Sequence, residues 1–181
     1  MGYFLGSIPT AYILGRLRGI DVRKHGSGNV GTMNTARILG WKEAVIVFIM
    51  DTGKGVVAVV LARYVGIDTG IAVVSAVAGH IFPLWLKGRG GKGLATALGC
   101  ILAGGVFWPL PVFGLGWGIV YWRLKHSDLA NLTGALAVLG ITLVFFSFYQ
   151  FWWLVFMSGL LVLSHVRSIL NPVFAEDKRK R

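Results

Sequence analysis

The chain consists of long apolar runs joined by short basic segments. The runs cover residues 3–17, 41–64, 71–86, 94–120, 129–146 and 151–166. A backbone in hydrocarbon must bond its own N–H and C=O groups, and a helix does so within a single segment. Hydrophobic residues fill 55% of the 181 positions and charged residues 14%, far from the balance of a soluble domain. The pattern predicts an all-α, polytopic membrane protein, a single domain over residues 1–181.

Charge sets the expected topology. Basic clusters at 16–24, 87–92, 123–125 and 178–181 belong on one side, by the bias of Lys and Arg toward the cytoplasm. The connections near Asp68, Trp108 and Gln150 then lie opposite. This requires residues 94–120 to form two short helices hinged at Trp108-Pro109-Leu110-Pro111, where two prolines suit a turn better than a helix interior; a single kinked helix is the structural alternative. The count becomes about seven spans, some short or broken, with the N-terminus outside and the C-terminus inside. The segment 3–17 is short for a span, about 22 Å long against a hydrocarbon core of about 30 Å.

The net charge of +11 sits in juxtamembrane clusters, which points to anionic lipid and not to nucleic acid. Cys100 is the only cysteine and lies in an apolar run, so neither an internal disulfide nor a cysteine zinc site is expected. No histidine pair has metal-ligand spacing on one helix, and no metal or cofactor is expected. The N-terminus lacks the charged region and cleavage site of a leader, so none is expected to be removed.

Two glycine-rich segments break the apolar pattern: Gly26-Ser27-Gly28-Asn29-Val30-Gly31 and Gly88-Arg89-Gly90-Gly91-Lys92-Gly93. Glycine lets successive backbone N–H groups turn toward one anion, and a following helix start favours negative charge. Both match Gly-x-Gly-x-x-Gly, but the strand that a dinucleotide fold needs is missing. Neither Gly53-Lys54 nor Gly91-Lys92 completes a Walker P-loop. What remains is an anion nest beside a cation, with a plain basic loop as the structural alternative for either segment alone.

Arg37 can grip phosphate with its planar fork, while Asn34 and Thr35 can equally cap the next helix. Asp51 and Lys54 are intramembrane charges at i, i+3 spacing, so they can pair. Asp51 is expected to hold Lys54 or an active-site arginine in place; a self-neutralising pair near a helix break at Gly53 and Gly55 is the structural alternative. His80 and His165 fall near the basic face. No Gly-x-Ser-x-Gly elbow is present, and no histidine has an Asp five residues later.

Five motifs together resemble one family closely. They are Gly6-Ser7-Ile8-Pro9; the segment 26–31 with Asn34 and Arg37; Asp51 with Lys54-Gly55; Gly79-His80 with Pro83; and Gly90-Gly91-Lys92-Gly93 with Ala95-Thr96. The set is similar to the small bacterial membrane glycerol-3-phosphate acyltransferases, the PlsY family, over nearly the whole chain. The resemblance implies seven helices and a site facing the cytoplasm of a bacterial inner membrane. It also implies acyl transfer from acyl phosphate to the 1-hydroxyl of sn-glycerol 3-phosphate, a first step of phospholipid synthesis. The products are lysophosphatidic acid and phosphate, and the acceptor's own phosphate takes the hydroxyl proton.

By match, Ser27, Arg37 and Lys92 hold phosphate and His165 orients the glycerol. Gly90, Gly91 and Gly93 cradle the acyl-phosphate head through backbone N–H groups. Asn29, Asn34, Lys54, His80 and Thr96 line the substrate pocket, with Asp51 in support. The acyl tail lies in a groove between helices, open to lipid. The implied partners are the two substrates, membrane lipid and an acyl-phosphate-producing enzyme at the cytoplasmic face. Two places depart from the family pattern. Asp128 and Asn131 stand where serines are expected, and Ser168 and Asn171 replace an Asn and an Arg. These changes leave a second reading, a related transferase with another acceptor or an inactive relative. Broken helices, intramembrane charge and basic loops leave a third, a non-enzymatic carrier of phosphorylated solutes.

Overall fold

The computed structural model describes residues 1–170, and every regular element among them is helical. In chain order these are α1 (Gly2–Gly6), α2 (Thr10–Leu17), α3 (Thr32–Leu39), α4 (Trp41–Tyr64), α5 (Thr69–Ile81), α6 (Leu94–Gly104), α7 (Pro109–Leu124), α8 (Ser127–Phe145) and α9 (Phe148–Leu170). Short 3-10 turns at Val22–Lys24 and Leu84–Leu86 lead into the two glycine segments. Four stretches are long and apolar enough to cross a membrane: Trp41–Tyr64, Thr69–Leu86, Ser127–Phe145 and Phe148–Leu170. Asn171 and the basic cluster at 178–181 lie outside the described residues.

Three apolar runs differ from their expected form. The run 3–17 is two helices, because Pro9 has no N–H to donate and pushes Ile8 out of the helical region. The run 41–64 is a continuous helix about 36 Å long and does not break at Gly53-Gly55. Its charges pair within the helix, so they need no opening to water. The run 71–86 ends its α-helix at Ile81, two residues before Pro83. The run 94–120 divides as expected: Gly105 closes α6 in the left-handed region, and Pro109 opens α7 at its first turn. Trp108 stacks on Phe146 at 4.5 Å, tying that turn to the one between α8 and α9.

Lipid tails are as apolar as leucine, so helices in a bilayer associate through close packing of small residues. The core is accordingly rich in Ala and Val, including Ala58, Val59, Ala76, Val77, Ala97 and Ala135. The contact of α4 with α6 is close. A Cβ on Gly99 would lie 2.0 Å from the Thr52 carbonyl oxygen, and one on Gly55 would lie 2.3 Å from that of Thr96. Outward positions such as Ile49, Val60, Leu143 and Phe156 stay exposed, as suits a lipid-facing surface.

A separate cluster of Ala11, Val22, Val30, Val47 and Leu86 packs the first glycine segment onto α2 and α4. Asp21 accepts from the Arg23 backbone N–H at 3.1 Å and from its guanidinium at 2.9 and 2.7 Å. That side-chain hydrogen bond holds the Asp21 carboxyl down at about 2, so this anchor stays ionised at any physiological pH.

Gly99→Val tests the packing. The added side chain overlaps the α4 backbone, and overpacking of this kind costs about 1–3 kcal/mol. A clear fall in the thermal midpoint of the detergent-purified protein is expected. An unchanged midpoint would contradict this account of the α4–α6 contact.

Candidate active site

Three segments far apart in sequence meet at one end of the bundle: the first glycine loop with α3, the start of α6, and the α7–α8 junction with the last turns of α9. Between them is a cavity of about 350 Å³. Ser27, Asn29, Asn34, Arg37, Lys92 and Gly93 line it, with His80 and Asp51 at its floor. His126, Asp128, Asn131 and Ser168 form the facing wall.

Asn34 organises the first loop. Its side chain is buried; Oδ1 accepts from the Ser27 N–H at 2.8 Å. Its Nδ2 donates to the carbonyls of Val22 at 3.1 Å and His25 at 3.2 Å. With both ends of its amide used, Asn34 folds the loop and has little left for a ligand. It is also not the helix cap: Gly31 occupies that position, and Thr35 Oγ1 donates back to the Gly31 carbonyl at 3.1 Å. The loop presents Ser27 and Asn29 to the cavity. Asn29 Oδ1 is buried, with no hydrogen-bond partner among the described residues. Arg37 follows Asn34 by three residues and is exposed at the cavity edge.

The second loop departs from its expected role. The N–H groups of Gly90 and Gly91 donate to the carbonyls of Ile81 and His80, both at 3.1 Å. They close the end of α5 and are not available to an anion. Glycine is needed here for close approach, since a Cβ on Gly91 would lie 2.2 Å from His80 Nε2. Backbone donors left over by the fold come instead at the next residues. Gly93, at φ +88°, turns the chain into α6, whose first N–H groups have no partner within the helix. Lys92, Gly93, Leu94 and Ala95 all line the cavity, so this helix start and the Lys92 ammonium face the same space.

Behind the floor is a buried polar network. Lys54 Nζ lies 2.9 Å from Asp51 Oδ1 and donates to the Ile8 carbonyl at 3.0 Å. Thr10 Oγ1 donates to the same Asp51 oxygen at 3.0 Å. The ammonium thus serves a carbonyl freed by the break at Pro9. Lys54 therefore points into the α1–α2 break and not into the main cavity. Thr96 is also set back: fully buried, its Oγ1 lies 3.1 Å from His80 Nδ1 and fixes that ring.

His165 is fully buried one turn below the cavity wall. Its Nδ1 is 2.8 Å from the Leu161 carbonyl, which can only accept, so Nδ1 carries the proton. Nε2 is then an acceptor with no partner among the described residues. Ser164 Oγ donates to the Lys92 carbonyl at 3.0 Å, pinning the second loop to α9.

A second, apolar cavity of about 240 Å³ runs down between α6, α7, α8 and α9. Leu98, Ile101, Leu110, Phe113, Val138 and Met157 line it. Leu94 and Ala95 belong to the walls of both cavities, so the polar chamber and the apolar groove are neighbours across the start of α6.

The profile of the family described as Glycerol-3-phosphate acyltransferase matches residues 1–173. The chain belongs to that family. A glycerol-3-phosphate acyltransferase of Caulobacter vibrioides (strain NA1000 / CB15N) is 41% identical over 98% of this chain and 84% of its own length. One of Prochlorococcus marinus (strain MIT 9301) is 36% identical, covering 98% and 93%. Among solved structures, PlsY (YgiH), an integral membrane glycerol 3-phosphate acyltransferase in its glycerol 3-phosphate form, matches with a TM-score of 0.78. It is 32% identical, with 96% of this chain and 88% of that one covered. Its lysophosphatidic acid form matches with a TM-score of 0.75.

Composition and motif spacing carried Ser27, Asn29, Arg37, Lys92 and Gly93 to the cavity. The facing wall of His126, Asn131 and Ser168 was not in the expected site set. Its only sequence signal was the polar start of α8 and the departures at 128, 131 and 168.

Asn34→Ala removes three hydrogen bonds at once, a loss of about 2–4 kcal/mol at the usual net value of each. Faster amide hydrogen exchange over residues 22–31 is expected. Protection equal to the wild type would show that the loop does not depend on this side chain.

Proposed function

We propose that the chain transfers a fatty acyl group from acyl phosphate to the 1-hydroxyl of sn-glycerol 3-phosphate, releasing lysophosphatidic acid and inorganic phosphate. The observation that carries this reading is the polar chamber, with Lys92 and Arg37 in its lining, abutting an apolar groove at Leu94 and Ala95. A donor with a phosphate head and a hydrocarbon tail needs both, side by side.

Lys92, Arg37 and the start of α6 hold phosphate charge, with Ser27 and Asn29 as neutral hydrogen-bonding groups beside them. The acceptor hydroxyl oxygen attacks the acyl carbonyl carbon, and the carbon–oxygen bond to phosphate breaks. The phosphate leaves with its bonding electrons, and the hydroxyl proton passes to the acceptor's own phosphate. The oxyanion formed on the way is stabilised by the α6 N–H groups and Lys92, donors fixed before reaction. His165 and His80 position groups around this centre, Asp51 and Lys54 hold its floor, and the acyl chain lies among Leu98, Phe113 and Met157.

Seven spans account for the helices: α1 with α2 as one broken span, then α4 through α9, with α3 at the surface. Every cavity-lining segment then falls on the same side as the basic clusters at 16–24, 87–92 and 123–125. This supports an N-terminus outside, a C-terminus inside and a site facing the cytoplasm of a bacterial inner membrane. The whole chain is read as one domain.

Phosphate release from palmitoyl phosphate, with and without glycerol 3-phosphate, tests the reading. Release that depends on glycerol 3-phosphate, with lysophosphatidic acid as product, is expected. Lys92→Ala should lower that rate by about 100-fold or more, as loss of a fixed oxyanion-side donor does. Release independent of glycerol 3-phosphate would instead support another acceptor or hydrolysis. The groove has its own test: Leu98→Trp should shift preference toward shorter acyl phosphates, and an unaltered chain-length profile would place the tail elsewhere.

A further inference from the structure

Lys92 is not a free cation. Its ammonium is ion-paired with Asp128 Oδ1, on the facing wall of the cavity. The other carboxylate oxygen accepts from Ser168 Oγ at 3.3 Å. One helix holds both partners: Ser164 fixes the Lys92 carbonyl and Ser168, one turn later, steadies Asp128. The two side chains are 20% and 23% exposed, so water and solutes reach the pair. A carboxylate therefore sits on the lysine to which the proposed function assigns phosphate.

We propose that Asp128 is the resident counter-anion of Lys92 and sets the affinity of the site for phosphate. An incoming phosphate must displace the carboxylate, and a departing one is replaced by it. Asp128 covers the lysine charge while the site is empty and opposes retention of phosphate after reaction. The effect is a weaker but faster-exchanging phosphate site than a bare lysine would give. The cost of breaking the pair falls on binding and is recovered on release. A residue that merely held the wall in shape would do the opposite, since its loss would weaken binding.

The inference rests on the assignment of Lys92 to phosphate. Isothermal titration of the full-length purified protein with sn-glycerol 3-phosphate, and separately with inorganic phosphate, tests it. Asp128→Asn keeps the shape and removes the charge. It is expected to lower the dissociation constant for both anions about fivefold, the factor a part-exposed ion pair is worth. Ser168→Ala loosens the carboxylate without touching Lys92 and is expected to act in the same direction by less.

Equal or weaker binding of both anions to folded Asp128→Asn would overturn the proposal. If that variant fails to fold, Ser168→Ala decides, with tighter binding for and unchanged or weaker binding against. The two readings separate cleanly. Acyl transfer by the wild type without tightening in the variants removes this inference alone. Tightened phosphate binding in a protein that never acylates glycerol 3-phosphate keeps it and removes the enzymatic reading.

Discussion

The buried ion pair of Asp51 and Lys54 is the interaction on which the rest of the molecule depends. Two charges sit in the middle of a 24-residue apolar helix, where an unpaired one would be strongly unfavourable. They are tolerated because each is satisfied on more than one side. Lys54 reaches the Ile8 carbonyl that the helix break leaves over, and Thr10 adds a hydroxyl to Asp51. Removing one partner of a buried pair strands the other, at a cost of about 3–5 kcal/mol. The pair thus joins α4 to the α1–α2 break and places a polar floor under the cavity.

The site follows from that floor. His80 is packed between Gly91 and Thr96, and the Gly90-Gly91 backbone closes on the end of α5. The chain is then delivered at a fixed angle into α6, so that Lys92 and the helix start point one way and Leu94 and Ala95 separate the two cavities. A rigid polar chamber beside a greasy groove suits two substrates of opposite solubility. In the proposed reaction the backbone donors at the start of α6 are set by packing before substrate arrives, which is where electrostatic catalysis draws its advantage.

Legibility differed from residue to residue. The apolar periods and the proline pair at 109 and 111 predicted where chain segments stop, because helix ends are governed by local backbone chemistry. The break at Pro9 had the same local cause and was readable in principle. The continuity of α4 through Gly53 and Gly55 was not, since the role of Gly55, a close approach to Thr96, involves another helix. In the same way, glycine spacing pointed to an anion nest at Gly90 and Gly91. Whether their N–H groups are free depends on where the α5 carbonyls end up. Asn34 was legible as important but not as a loop organiser, because its partners lie up to twelve residues away.

By itself the sequence determined that this is a helical protein of long apolar runs, with most of its cations in the short segments between them and the motif set of one acyltransferase family. Those properties need only composition, order and local spacing. The tertiary structure alone decided which polar groups stay available. It consumed the amides of Gly90, Gly91 and Asn34 in scaffolding and turned Lys54 toward Ile8. It also left Asn29 Oδ1 without a partner among the described residues and set Asp128 against Lys92. A hydrogen-bonding group has a finite number of partners, and which ones it finds depends on residues distant in sequence that only the folded chain brings within 3 Å.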